Sequence, residues 1–501
     1  MQKSGYVLAG FETLATIMDN FIAGRRGRFN DNFTRKQISD FLATTTSGFL
    51  HSYGQDFPGK KKFDKYSARE GDLYVRCRDM GIFDNCTLIA DSGGFQISIG
   101  RLTRSESERL YNMYYEWLVD YKESYDKAFI LDIPPGPGCK IFHNFEDVYE
   151  KNLESYLRAQ SLPDEVRKKL IYVHHFRTPK LWEIYTKIMR ENNMFESFEY
   201  HATGGIVANM SSDMAIPCII YILPLIPLIN EAKKAGRNYL NFHILGGANF
   251  RDMLFYELFR VVVQNKHKIE LNITYDSSGI YKQIMHARFM NVRDDEGYMR
   301  KMNIKSDNLQ YKFLENLSVH DMSQRIFDKL ADTWGFKRIS VDGLYDPERQ
   351  TFWEDVKAYA ILYAFDLYYH LQHEMREFAE AVYPMWESGA KEELYTELFN
   401  ITRVLNQGKL TKKQKIKAHS IPRSMDILAS LDEDVCHSLV KTYLAKDEFT
   451  DLDDHTRVLT VRLIKDIIKT KSSILNCKMG KSSAPSVMER DVYPKITTVV
   501  K

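Results

Sequence analysis

In "LIADSGGFQISIG", residues 88–100, three apolar residues run into an aspartate, followed by a serine and two adjacent glycines. A short apolar run fits a buried strand, and a polar residue with glycines after it marks where such a strand stops. The same design recurs along the first two thirds of the chain. The other runs are "GYVLAG" (5–10), "AFILDI" (128–133), "LIYVHHF" (170–176), "FEYHATGG" (198–205), "NFHILGG" (241–247), "ELNITYD" (270–276) and "RISVDGL" (338–344). Charged stretches with helical spacing lie between many of them, as in 105–125, 145–160 and 249–265. Strands alternating with helices pair in parallel, which makes the chain an α/β protein. Eight candidate strands predict a (β/α)8 TIM-like barrel. A doubly wound open sheet is the alternative, but no GxGxxG follows the first run.

Residues 10–86 are long and polar for one connection and read as an N-terminal insertion. The barrel with this insertion is expected to occupy 1–345, and a helical C-terminal region 346–501, the latter led by helical spacing over 351–389. Hydrophobic residues make up 44% and charged residues 27%, which is globular composition, and the net charge of +2 leaves nucleic-acid affinity to local patches. The six cysteines are scattered without a CxxC or CxC pair, which favours a reducing compartment over a disulfide framework. The first apolar run is short for a signal peptide, and "MAIPCIIYILPLIPLIN" (214–230) is short and proline-rich for a membrane span. The expectation is a cytoplasmic protein that does not enter a membrane.

In a (β/α)8 barrel, side chains at the C-terminal ends of the strands converge on one mouth. Asp91, Asp132, the pair His174 and His175, the glycine pairs Gly204–Gly205 and Gly246–Gly247, and Asp276 all end candidate strands here. Each has a structural reading, since Asp caps turns and a glycine pair makes a tight one. Their shared place at successive strand ends is what favours a pocket for a small planar ligand. Carboxylates accept from its N–H groups, and glycines offer backbone to its edge.

The ordered set "DSGGFQ", "LD", "YVHHF", "TGGI", "LGGA" and "YDSS" resembles the tRNA-guanine transglycosylase superfamily over roughly residues 85–280. Within it, the phage and bacterial DNA-guanine transglycosylases look like the nearer branch. The resemblance implies a pentosyltransferase that replaces guanine in a polynucleotide with a 7-deazaguanine base, on a (β/α)8 barrel. It implies Asp276 as the nucleophile and Asp91 as the general acid/base. Ser92, Gly93 and Gly94 would shape the pocket, with the glycines lying against the flat base, and Phe95 would stack on the purine. Asp132 would accept from the base, and His174 stands where the family has a base-contacting glutamine. Gly204, Gly205 and Gly246 would present backbone, and Ile206 would border the 7-substituent. The carboxylate would attack the sugar C1′ to give a covalent glycosyl–enzyme, which the incoming base then opens with overall retention.

The family's tRNA enzymes carry a CxCxxC-plus-His zinc site after the nucleophile, whereas here no cysteine lies between 218 and 436. No cofactor is expected, and His370 and His373 read as structural. The "YDSSGIY" loop leans the incoming base toward 7-cyano-7-deazaguanine (preQ0). DNA is the expected partner and tRNA the alternative; a non-catalytic nucleic-acid-binding subunit of the same fold is a third reading. Basic clusters at 24–36, 60–65 and 409–424 are the phosphate candidates, through Arg25, Arg26, Arg28, Lys61, Lys62, Lys412 and Lys413, together with Arg288.

Overall fold

The computed structural model describes residues 5–10, 14–15, 34–56, 77–98, 100, 102–133, 144–175, 179–204, 217–247, 249–277, 279, 284, 289–303, 310–311, 317–338, 340, 345–346, 351–352, 354–436 and 438. Eight parallel strands close a barrel in sequence order: β1 (Gly5–Ala9), β2 (Gly48–Ser52), β3 (Leu88–Asp91), β4 (Lys127–Phe129), β5 (Leu170–His175), β6 (Tyr200–Gly204), β7 (Tyr239–Ile244) and β8 (Glu270–Ser277). Closure comes from β1 pairing with β8, with Val7 opposite Asp276 and Gly5 opposite Thr274. The principal helices are α1 (Arg35–Thr45), α2 (Gly94–Ser98), α3 (Arg104–Asp120), α4 (Phe145–Gln160), α5 (Pro179–Glu191), α6 (Pro217–Lys234) and α7 (Met253–His267). After the barrel strands come α8 (Val319–Trp334), α9 (Glu354–Ser388), α10 (Lys391–Val404) and α11 (Lys412–Ser430). An antiparallel hairpin, β9 (Phe289–Arg293) with β10 (Met299–Asn303), follows β8.

The predicted barrel is present, but one of its strands is not where the sequence placed it. β2, "GFLHS", lies inside the stretch read as an insertion, and α1 precedes it. The run 338–344 supplies no barrel strand; Arg338 and Ser340 lie outside any strand and the rest of that run falls outside the described residues. "GFLHS" escapes notice because it is five residues long and ends in His and Ser. All five are nonetheless buried, because the barrel wall covers both faces of each strand.

Local signals set the helix starts. Thr34 with Gln37, Thr103 with Glu106 and Thr411 with Gln414 each form a reciprocal capping box before α1, α3 and α11. Asn144 caps α4 by accepting from Asp147 N–H at 2.9 Å.

The helical region expected from 346 onward is not set apart from the barrel. α9 packs on α7, α1 and β1, the place of an eighth barrel helix. Tyr6 of β1 meets Tyr368 and Phe365 of α9 at ring-centroid distances of 5.1 and 6.2 Å. α11 lies outside α6 and α7 as a further layer. This explains the apolar run at 214–230: Leu223–Ile229 are all buried. Pro227 has no N–H to give the carbonyl four residues before it, Leu223. The Cys436 thiol donates to that carbonyl at 3.7 Å instead. Among the described residues no helix is long and apolar enough to cross a membrane.

Candidate active site at the barrel mouth

Strand alternation sends every second side chain inward, so the last inward residue of each strand reaches the mouth. On β8 these are Asn272, Thr274 and Asp276, and on β7 Asn241 and His243. Asn272 donates to Asn241 at 3.3 Å, His243 Nδ1 and Thr274 Oγ1 lie 2.9 Å apart, and His243 Nε2 is 3.2 Å from Asp276 Oδ1. Gly246 N–H donates to the same Asp276 oxygen at 2.7 Å. Gly246 has φ +76°, a left-handed conformation that suits glycine at the turn that aims this N–H.

Asp91 ends β3 beside Ser52 at the end of β2, as the register pairs them. Ser52 and the Ser92 N–H favour its ionised form, and the Ser52 hydroxyl also donates to Gln96 Oε1 at 3.3 Å. Burial nonetheless pushes the Asp91 carboxyl up to about 7, opposed by Ser52 and reinforced by the nearby charges of Asp132 and Asp276. Desolvation and like charge both disfavour the ionised form, and here they outweigh these two polar neighbours. Asp132 follows β4, and its Oδ2 is hydrogen-bonded to His175 Nε2. Both are buried, and the His175 ring packs on Tyr185 at 5.0 Å.

The two adjacent histidines face opposite ways. His174, the residue expected at the ligand, turns outward to α5, where Nε2 lies 3.1 Å from Thr186 Oγ1. Burial, with His175 and Arg190 nearby, lowers its pKa to about 3, so it is neutral in the helix layer. The mouth position is held by His175. A one-residue step in a strand exchanges core face for helix face, and the sequence motif alone does not fix that phase.

The glycines of "DSGG" lie against protein backbone. A Cβ on Gly93, whose φ is +93°, would sit 2.4 Å from the Gly54 Cα, and one on Gly94 would sit 1.7 Å from the Asp132 carbonyl oxygen. The turn after β3 therefore touches the ends of both neighbouring segments, which locks Asp91 and Asp132 side by side. Gly204 plays a similar part for His175, whose Cε1 would be 2.3 Å from an added Cβ.

Ser92 is fully buried and supports the turn, while Phe95 is 57% exposed at the start of α2. Gly205, Ile206, Arg25, Arg26, Arg28, Lys61, Lys62 and Arg288 lie outside the described residues. Lys412 and Lys413 open α11. The turn before it is tied to the mouth side, because Arg251, on the segment after β7, donates to Leu405 O at 3.4 Å, and Arg300 donates to Gln407 O at 2.6 Å.

The structure thus gathers Asp91, Asp132, Asp276 and Gly246 and adds Ser52, His175, Thr274 and His243. His243 was legible in principle: it stands three residues before Gly246, on the inward phase set by Asn241. Among the described residues no group of three or more His, Cys, Asp or Glu side chains is arranged to hold a metal ion. His370 pairs with Asp366 at 3.1 Å within α9. No family model matches the chain, and no curated protein matches it.

Proposed function

We propose that the chain is a base-exchange transglycosylase that replaces guanine in DNA with a 7-deazaguanine base such as preQ0. The observation that carries this reading is the division of labour between two carboxylates at one mouth. Asp276 is held through Oδ1 by two neighbours, Gly246 N–H and His243, while no described residue bonds Oδ2. Asp91, pushed up to about 7, changes protonation state near neutral pH. A fixed nucleophile beside a group poised to give and take a proton is what two-step glycosyl exchange needs.

In the first step Asp276 Oδ2 bonds the sugar C1′ as the bond from C1′ to guanine N9 breaks, and protonated Asp91 gives its proton to the departing guanine. The 7-deazaguanine then enters, its N9 loses a proton to Asp91, and N9 bonds C1′ as the aspartyl ester opens. Each step inverts C1′, so the product retains the original configuration. Asp132, oriented by His175, accepts from the N–H edge of the base, and the exposed Phe95 is available to stack on it. A base within a duplex has to leave the stack to reach this mouth.

DNA is preferred to tRNA because the sequence has no cysteine between 218 and 436, where the tRNA enzymes of the resembled family place their zinc ligands. The expected setting is the cytoplasm of a bacterial or phage-infected cell. The test is nucleoside mass spectrometry after incubation with preQ0 and either plasmid DNA or bulk tRNA. A 7-deazaguanine deoxynucleoside supports the reading, product only in tRNA moves the chain to the other branch, and product in neither overturns base exchange with preQ0.

A further inference from the structure

We propose that His243 is a positioning residue that selects Asp276 Oδ2 as the oxygen bonding the sugar, by holding Oδ1 with its Nε2–H. The proposal rests on the transglycosylase reading of the same mouth. A carboxylate on a strand end rotates about its last torsion, and either oxygen then faces the substrate. Here that rotation is opposed twice at one oxygen, by Gly246 N–H at 2.7 Å and His243 Nε2 at 3.2 Å. The backbone donor alone restrains one direction. The imidazole supplies a second direction from the neighbouring strand, and two directions fix a plane.

The imidazole is itself fixed. His243 and Thr274 are Cα partners in the β7–β8 register, and their side chains meet at 2.9 Å through Nδ1 and Oγ1. The Thr274 hydroxyl, buried with its neighbour, can donate to Nδ1, which leaves Nε2 to carry the proton that faces Asp276. Phe129 of β4 sets the ring's tilt by an edge-on contact at 5.1 Å. The chain Thr274–His243–Asp276 therefore runs across two adjacent strands. Hydrogen-bonded partners of this kind hold a reacting group in the geometry its reaction needs, and misplacement by an ångström costs about 100-fold in rate.

The test has two arms on the full-length protein. Nitrogen-15 NMR of histidine-labelled protein reads the His243 tautomer directly, with no substrate present. The expected result is a proton on Nε2 that becomes exchangeable in Asp276→Ala; a proton on Nδ1 in the wild type overturns the proposal. In the second arm, base exchange is measured per folded molecule for His243→Ala, His243→Gln and Thr274→Val. His243→Ala should lower kcat by about 10- to 100-fold with KM for the base within about twofold, the scale of a misplaced reacting group. His243→Gln, whose amide replaces the Nε2 donor, should recover most of that loss, and Thr274→Val should show a smaller fall in kcat. Equal kcat per folded molecule in all three variants makes His243 a packing residue and overturns the proposal. A wild type that exchanges no base in DNA or tRNA overturns the parent reading as well, and it is told apart because the tautomer arm still reports the hydrogen bond.

Discussion

The floor and the mouth of the barrel treat carboxylates in opposite ways. At the floor, Asp126 precedes β4, accepts from Leu88 N–H at 2.7 Å and meets Arg78 at 2.5 Å. Arg78 also donates to the Phe83 and Cys86 carbonyls, so both charges cap backbone that the strand ends leave open. Lys127, which begins β4, lies over the Tyr200 ring at 3.9 Å. At the mouth, Asp91, Asp132 and Asp276 are near enough for two of them to raise the third, and among the described residues none has a lysine or arginine partner. Their partners are histidines, a hydroxyl and backbone N–H groups. Charges neutralised in pairs serve folding, whereas a cluster of like charges without cations costs stability and is characteristic of chemistry.

The sharpest way to break this comparison is Asp276→Ala, which should abolish base exchange, a loss of at least about 10⁴-fold as when a covalent nucleophile is removed. Nucleoside mass spectrometry reads it, and residual wild-type turnover would place the nucleophile elsewhere. Asp91→Asn should slow exchange by about 10²- to 10⁴-fold, the usual worth of a general acid. Its sign on stability is opposite. The Asp91 carboxyl is pushed up to about 7 from an ordinary 3.8, so the folded protein holds a proton that the unfolded chain releases. The contribution of Asp91 to wild-type stability therefore falls as pH rises from about 3.8 through about 7 and levels off above, because the ionised form is the one the fold disfavours. The variant escapes that loss, so its thermal midpoint should exceed that of the wild type at pH 8 and match it at pH 3.5. A variant less stable at pH 8 would mean that Asp91 is a structural partner.

The paired histidines sharpen the contrast between faces of one strand. His175→Ala should raise KM for the base about tenfold, equivalent to one lost hydrogen bond of about 1.4 kcal/mol. His174→Ala should leave KM unchanged and lower stability by about 1–3 kcal/mol, because it opens a cavity and leaves Thr186 without its partner. Kinetics and denaturant unfolding on both variants decide which histidine faces the ligand. The smallest effect is expected at the floor: Arg78→Ala should cost about 1–2 kcal/mol of stability with turnover per folded molecule unchanged. A fall in turnover there would dissolve the distinction between the two ends.

The sequence by itself determined the alternation of strand and helix, hence the barrel, and it placed the three aspartates at strand ends. Periodicity and turn residues are local properties, encoded within a few positions of where they act. It misjudged what depends on partners far along the chain. β2 was hidden because "GFLHS" becomes a strand only when β1 and β3 flank it. α9 completes the helix ring across more than 340 residues of intervening chain, through rings on Tyr6 that no local signal announces. Tertiary structure alone decided which of His174 and His175 enters the mouth, because the phase of a strand is set by the barrel that surrounds it. It also decided that Gly93 and Gly94 yield to Gly54 and Asp132, since a glycine marks a close approach without saying what approaches.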